Sequence, residues 1–147
     1  MRAVLQRVTS ADVSVDFEIV GSIDEGLVVY LGFAIDDTEV QGDKFVEKIS
    51  KLRSFSNDQG KFDLSILDVE SDLLLIPQFT LFADTTKRRP SFFLAAAPEI
   101  AAELFAVTIK KFSRCGISKV ESGIFGAHMS VQSVNDGPVT IFFDDSI

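Results

Sequence analysis

The sequence predicts a single α+β domain in which a curved, barrel-like β-sheet core is flanked by two main helices. Segments with a strand pattern outnumber the two helical patterns along the 147 residues, and the two kinds do not alternate strictly. Hydrophobic residues make up 46% of the chain and charged residues 24%, which is enough apolar surface for a core and argues against disorder. No repeat or linker-like change in composition divides the chain, so we expect one domain over residues 1–147.

Strand patterns dominate the N-terminal part of the chain. Residues 1–8 are apolar and rich in residues that favour strands. Residues 13–19 alternate between apolar and polar side chains, which is typical of one half-buried strand. Residues 27–31 are continuously apolar, and such a run suits a strand that is buried on both faces.

Two segments have helical spacing. Residues 38–52 form an amphipathic pattern, and Thr38 followed by Gln41 predicts a capping box at its start. A second helix is expected to begin at Pro98, because proline is tolerated in the first turn of a helix. Gly116 is expected to stop this helix.

The remaining strand patterns contain proline. Residues 73–81 indicate a buried strand, but Pro77 donates no ladder hydrogen bond and should mark a bulge, an edge or a strand end. Residues 130–143 are predicted to form two strands around a turn at residues 135–138. Residues 57–60 are also predicted to form a turn.

Composition excludes several classes of site. The single cysteine, Cys115, excludes an internal disulfide and multi-thiolate metal sites, and the single histidine, His128, excludes metal sites that need two. We therefore expect no metal and no cofactor. The net charge of −8 argues against broad binding to nucleic-acid phosphates, which requires many basic contacts. Residues 87–89, Lys-Arg-Arg, are the one dense basic cluster, and they indicate either a solvated loop or a local phosphate contact.

The chain shows no sequence signal for a membrane. No apolar run approaches the roughly 18 residues that a membrane span requires. Gln6 and Arg7 interrupt the apolar N-terminus, which therefore does not have the pattern of a signal peptide. We expect a soluble cytoplasmic protein without a membrane partner.

Two segments stand out as candidates for a site, although the usual catalytic signatures are missing. Residues 77–81, Pro-Gln-Phe-Thr-Leu, place an amide and a hydroxyl at the end of a buried strand. Residues 135–140, Asn-Asp-Gly-Pro-Val-Thr, place a Gly-Pro step in a turn. Each segment alone is more often an ordinary turn. His128 is expected to be structural or exposed, and Cys115 to be an inert buried thiol.

Five ordered blocks together resemble the D-aminoacyl-tRNA deacylase family, also called D-tyrosyl-tRNA deacylases, along essentially the whole chain. The blocks are residues 1–8, 77–81, 89–92, 123–129 and 135–140. The last block matches the family's Asn-x-Gly-Pro-Val-Thr motif at every position. Pro77 stands where the family motif has serine, His128 stands where aspartate is common, and the basic segment is one residue short.

The resemblance implies a deacylase-like fold and hydrolysis of the ester that joins a D-amino acid, or glycine, to the terminal ribose of tRNA. It implies a homodimer in which the turn at Gly137 and Pro138, with a cis peptide bond, enters the pocket of the other subunit. Two parallel carbonyls would hold the substrate amine, so that an L side chain strikes the backbone while a D side chain or hydrogen fits. The partner would be the tRNA 3′ end, not DNA.

The resemblance also implies roles for individual residues. Backbone amides near Phe79 and Thr80 would stabilise the oxyanion beside Gln78, and the substrate's 2′-OH would assist. Thr80 could instead be the nucleophile, but no adjacent base is evident in the sequence. Arg7 would brace the turn through hydrogen bonds to its carbonyls. The residues assigned to substrate binding are Pro77, Phe125, Met129, Gly137 and Pro138.

Three other functions remain open. Proline at position 77 also occurs in a related deacylase with relaxed chirality, so this chain could share that relaxed selection. It could instead be a non-enzymatic dimeric module that binds the tRNA end, or an esterase of small D-amino acid esters. Turnover of D-aminoacyl-tRNA distinguishes an enzyme from a binding module, and free esters without tRNA distinguish a general esterase.

Overall fold

The computed structural model describes residues 1–145. Within them lie eight β-strands, two α-helices and one 3₁₀ helix. In chain order these are β1 (Arg2–Val15), β2 (Glu18–Ile23), β3 (Gly26–Gly32), α1 (Glu39–Ser50), β4 (Phe55–Ser56), β5 (Phe62–Leu64), β6 (Asp72–Pro77), the 3₁₀ helix (Phe79–Phe82), α2 (Pro98–Phe112), β7 (Val120–Ser122) and β8 (Ser130–Asp144). None of the helices in this part of the chain is long and apolar enough to cross a membrane.

Six of the strands form one curved sheet. Its order is β2-β1-β3-β6-β7, and β8 pairs with the other edge of β1. The pairs that involve β1 are antiparallel, whereas β3–β6 and β6–β7 are parallel. β2 also packs against β6 and β7, which are distant from it in strand order, so the sheet curls into a nearly closed barrel. The prediction of an α+β fold with a barrel-like sheet and two helices is confirmed.

The central strands are buried on both faces. Along β6, Leu73 and Leu75 pack in the core beneath the two helices, while Leu74 and Ile76 pack inside the barrel. All four side chains are at most 1% exposed. This arrangement explains why the sequence of β6 is a continuous apolar run instead of an alternating one.

The two helices cover one face of the sheet. α1 begins after Thr38, whose hydroxyl accepts from Val40 N, and Gln41 Oε1 accepts from Thr38 N at 3.1 Å, as the capping-box prediction requires. α2 begins at Pro98 as predicted, but it ends at Phe112 and not at Gly116. A further turn follows the helix, and Gly116 lies in it at φ +99°.

Two predicted strands differ from the structure: a turn interrupts the first, and the second ends early. The strand predicted over residues 13–19 is wrong, because a turn at Asp16 and Phe17, both with positive φ, separates β1 from β2. Phe17 is fully exposed, so the alternation did not report burial there. The strand predicted over residues 73–81 ends at Pro77, and the chain then enters the 3₁₀ helix. Pro77 therefore marks a strand end, one of the outcomes expected for it.

The C-terminal segment forms one strand with a bulge, where the sequence predicted two strands around a turn. Both halves of β8 pair with β1, with Gln6 opposite Thr140 and Val8 opposite Asn135. Four residues of β8, 136–139, therefore stand opposite Arg7 alone. The extra residues push the Gly-Pro step out of the ladder.

Gly26→Ala is expected to destabilise the protein by about 3 kcal/mol, the upper end of the range for overpacked sites. A Cβ at Gly26 would lie 1.9 Å from the backbone oxygen of Asp72, where β3 and β6 begin to pair. Gly42→Ala is the matched control, because a Cβ there meets nothing closer than 3.9 Å and alanine favours helix α1. Urea denaturation of both variants measures the difference. Equal stability of the two would contradict this account of the strand contact.

Candidate active site

A cavity of about 660 Å³ opens where β6 ends, beside the 3₁₀ helix and the first turn of α2. Its volume is in the range of small-molecule sites. Among the described residues that line it, none is an aspartate, glutamate, lysine or arginine. They are Tyr30, Ile76, Pro77, Gln78, Phe79, Phe92, Ala95, Ala96, Ala97, Pro98, Ala101, Phe125, Gly126, Ala127, His128, Met129 and Val131. The cavity therefore suits an uncharged, flat or apolar group.

The cavity brings together residues that the sequence analysis assigned to the site from two distant blocks. Pro77, Gln78 and Phe79 come from the end of β6, and Phe125 and Met129 come from the segment between β7 and β8. Their proximity results from the parallel pairing of β6 and β7, which places both segments at the same edge of the sheet.

Phe125 and Met129 are half-buried, and each also belongs partly to the core. Phe125 packs against the core beneath the helices, and Met129 packs against the cluster inside the barrel. Both side chains therefore line the cavity and also pack against a core cluster. Burial raises the pKa of the neighbouring Tyr30 hydroxyl, so that it stays neutral at physiological pH.

The 3₁₀ helix gives the catalytic candidates their local geometry. Gln78 N donates to Leu31 O at 2.8 Å and so extends the β3–β6 ladder by one bond. Phe79 and Thr80 follow as the first helical residues, and their N–H groups have no acceptor within the helix. No other acceptor contacts these two N–H groups among residues 1–145. Two backbone donors are therefore available beside the cavity.

Side-chain contacts orient Gln78, Phe79 and Thr80 in this segment. Gln78 Nε2 donates a short hydrogen bond to Thr80 Oγ1. Phe79 is 55% exposed, and its ring meets the Phe92 ring edge-on with centroids 5.0 Å apart. Thr80 is exposed and does not line the cavity wall. His128 lines the cavity and is exposed, as expected from the sequence.

Gly137 and Pro138 lie on the bulge of β8, outside the cavity of their own chain. The peptide bond between them is cis, and Gly137 has φ +114°. Both residues are exposed. The Gly-Pro step thus does not line the cavity of its own chain, and the sequence analysis had assigned it to the pocket of the other subunit.

Arg7 stands behind this bulge and is only 11% exposed. Its Nη1 donates to Ser54 O at 3.0 Å, and its Nε lies 2.9 Å from Asp136 Oδ2 in an ion pair. The guanidinium also lies over the Phe62 ring at 5.7 Å. Among the contacts of residues 1–145, Arg7 reaches the turn through the Asp136 carboxylate and not through the carbonyl bonds that were expected.

Three partners of Arg7 were not predicted from the sequence. Ser54, Phe62 and Asp136 surround Arg7, and the first two are about 50 residues away along the chain. Of the three, only Asp136 lies inside a block that the sequence had singled out, residues 135–140.

The other singled-out groups form no second site. Cys115 is half-buried, and its Sγ donates to Phe112 O at 3.1 Å. In the described part of the chain, no group of three or more His, Cys, Asp or Glu side chains is placed to hold a metal ion.

Comparison with known proteins identifies the family. The family model described as D-Tyr-tRNA(Tyr) deacylase matches residues 4–144. A D-aminoacyl-tRNA deacylase of Roseiflexus castenholzii is 49% identical over 148 residues, which cover 100% of this chain and 94% of the relative. A solved structure titled "c-Myc DNA Unwinding Element Binding Protein" is 35% identical and superposes with a TM-score of 0.94 over 99% of both chains. A structure titled as a probable eukaryotic D-amino acid tRNA deacylase shares the fold, with a TM-score of 0.85, 20% identity and 97% coverage of both chains. The chain belongs to the D-Tyr-tRNA(Tyr) deacylase family.

Proposed function

We propose that this protein hydrolyses the ester bond that joins a D-amino acid to the 3′ end of tRNA, and that it acts on glycyl-tRNA in the same way. It works as a cytoplasmic homodimer and releases free tRNA together with the D-amino acid or glycine. Family membership supports the ester hydrolysis. The observation that carries the proposal is the uncharged cavity at the end of β6, with unpaired backbone N–H groups at its edge.

The cavity supports binding of the terminal adenosine of tRNA. Unpaired RNA ends are recognised by stacking on aromatic or apolar side chains and by hydrogen bonds to base edges. Phe125, Met129 and Phe79 provide the apolar contacts, and Tyr30 provides a neutral hydroxyl. A nucleobase is neutral, so a cavity without charged side chains accommodates it without burying an unpaired charge.

The N–H groups of Phe79 and Thr80 provide the oxyanion site. Water attacks the ester carbonyl, and the tetrahedral intermediate carries a negative charge on its oxygen that these donors stabilise. The intermediate then collapses, the bond to the ribose 3′ oxygen breaks, and that oxygen takes up the proton released by the attacking water. The vicinal 2′-OH of the ribose assists this proton transfer. The activated ester thus needs no side-chain base. In agreement with this, the Thr80 hydroxyl is bonded to the Gln78 amide nitrogen, which is not a base.

Chiral selection comes from the Gly-Pro step of the partner subunit. Gly137 and Pro138 are exposed and lie outside their own cavity, so a second copy of the chain is needed to bring this step to the substrate. The Arg7–Asp136 ion pair holds the bulge from behind. Carbonyls of the step hold the substrate amine, and the backbone then leaves room for a hydrogen or a D side chain but not for an L side chain.

Deacylation of matched D-aminoacyl-, L-aminoacyl- and glycyl-tRNA tests the proposal. We expect turnover of the D and glycyl substrates and none of the L substrate. Absence of turnover at any enzyme concentration would instead indicate a binding module, and equal rates on the D and L substrates would indicate relaxed chirality. Equal rates on free D-amino acid esters would indicate a general esterase.

A further inference from the structure

A basic loop closes next to the mouth of the cavity. Asp84 N donates to Ser91 O at 2.8 Å and Ser91 N donates to Asp84 O at 3.1 Å, which pins both ends of the loop. The Asp84 carboxylate accepts from Thr86 N at 3.0 Å, and this bond lowers the pKa of Asp84. Phe92, immediately after the loop, lines the cavity and contacts Phe79. The loop is therefore fixed to the cavity wall.

The loop presents three adjacent cations, Lys87, Arg88 and Arg89. All three are exposed, and within residues 1–145 none of them forms an ion pair. Six other basic side chains form ion pairs with carboxylates. These pairs are Arg2–Asp144, Arg7–Asp136, Lys51–Glu47, Arg53–Asp63, Lys111–Asp43 and Lys119–Glu121. Lys87, Arg88 and Arg89 are distinguished by their adjacency, because no other three basic residues are consecutive in this chain of net charge −8.

The three basic residues lie in a loop beside the cavity, where a phosphate outside the cavity could reach them. Because no Asp, Glu, Lys or Arg side chain within residues 1–145 lines the cavity, a nucleotide whose base enters it must leave its phosphate outside. Arg89 lies three residues from Phe92, which limits its backbone to about 11 Å from the cavity wall. The nearest acidic groups along the chain are Asp84, whose carboxylate is bound to Thr86 N, and Glu99 in the first turn of α2.

We propose that Lys87, Arg88 and Arg89 bind the phosphates of the unpaired 3′ strand of tRNA, immediately upstream of the terminal adenosine. This inference rests on the proposed function, since it assumes that the cavity takes the terminal adenosine. The loop supplies a local electrostatic contact that the acidic remainder of the surface does not provide. It holds the strand and takes no part in the ester chemistry.

The test replaces all three residues, Lys87→Ser, Arg88→Ser and Arg89→Ser, in one variant. We expect kcat/KM on D-aminoacyl-tRNA to fall about 10- to 30-fold, as for the loss of three exposed charge contacts. We expect the slope of log affinity against log salt to become shallower by about 2, because each single-strand phosphate contact contributes about 0.7. On D-aminoacyl-adenosine, which has no upstream phosphate, the rate should change less than about twofold.

A matched variant controls for the change in net charge. Lys44, Lys110 and Arg114 are also exposed and lie outside the cavity lining, and their replacement by serine removes the same charge. Lys110 is about 18 Å along α2 from the end that borders the cavity. We expect this variant to keep its activity on both substrates.

Three results would overturn the inference: an unchanged rate of the loop variant on tRNA, equal losses on both substrates, or an equal loss in the control variant. If the unmodified protein turned over neither substrate, the proposed function would fail. Fluorescence anisotropy with uncharged tRNA would then still decide about the loop. Weaker binding by the loop variant alone supports the contact, and equal binding by both variants removes it.

Discussion

D-aminoacyl-tRNA that ends in 2′-deoxyadenosine is expected to be hydrolysed about 10²- to 10⁴-fold more slowly than the same tRNA with a normal ribose, the range for loss of proton-transfer catalysis. The reason is that the segment at residues 78–80 offers backbone donors but contains no carboxylate or imidazole to act as a base. Both substrates carry the amino acid on the 3′ oxygen, so single-turnover rates at saturating enzyme measure the chemical step alone.

Thr80→Ala tests the same mechanism, but here we expect the activity to be retained. Thr80 Oγ1 accepts a hydrogen bond from Gln78 Nε2, an amide nitrogen that is not a base and so does not activate the hydroxyl. An unactivated hydroxyl is a weak nucleophile, so the variant should keep its rate within about tenfold of the unmodified protein. Loss of all activity in a correctly folded Thr80→Ala protein would favour the nucleophile mechanism.

Gly137→Ala is expected to lower kcat/KM on D-aminoacyl-tRNA about 100-fold, as a displacement of about 1 Å at a reacting group does. Gly137 has φ +114°, where L residues are strained. A Cβ at Gly137 would also lie 2.9 Å from Val139 Cγ2 and 3.2 Å from Arg7 Nη2. The bulge must therefore shift, and its carbonyls shift with it.

Gly116→Ala is the matched control for this prediction. Gly116 has a similar φ of +99°, but a Cβ there meets only Leu67 Cδ2 at 3.7 Å and lies outside the cavity lining. Both variants introduce an L residue at a positive φ and should remain folded in thermal unfolding, whereas only Gly137→Ala should lose activity. A folded Gly137→Ala protein with normal activity would contradict the role of the turn.

Local patterns predicted those parts of the fold that local contacts determine. The capping box at Thr38, the proline start of α2 and the apolar runs of the central strands were all read correctly, because each depends on a few neighbouring residues. The turn at Asp16 and Phe17 was missed, because Phe17 is an exposed apolar residue that mimics strand alternation.

The continuous β8 was missed for a different reason. Gly and Pro at positions 137 and 138 are typical of a turn, but pairing of both flanks with β1 keeps the strand in one direction and turns the step into a bulge. Long-range pairing with Gln6 and Val8 determines this outcome, and no local pattern contains it.

Only those parts of the candidate site that lie in the matched sequence blocks were predictable. The resemblance located Gln78, Phe79, Phe125 and Met129, and the sheet brings them to one cavity. The contacts of Arg7 with Ser54 and Asp136 depend on how distant strands and loops pack, which no local sequence pattern describes.

The central claim is that each active site combines the cavity of one subunit with the Gly-Pro step of the other. Two inactive variants test it together: Gly137→Ala alters the step, and Phe79→Pro removes one oxyanion donor from the cavity edge. Proline suits position 79, because Gln78 before it lies outside the helical region (φ −148°, ψ 81°) and Phe79 is the first helical residue. Loss of one such donor typically costs about 10²- to 10³-fold in rate.

The deciding measurement is the deacylase activity of the two variants after subunit exchange, with native mass spectrometry to verify that mixed dimers have formed. In a mixed dimer, one site receives an intact cavity from one subunit and an intact step from the other. Random exchange makes about half of the dimers mixed, so the mixture should regain about one quarter of the normal activity. If mixed dimers form and the activity stays at the level of the separate variants, each site is built within one chain and the account is contradicted.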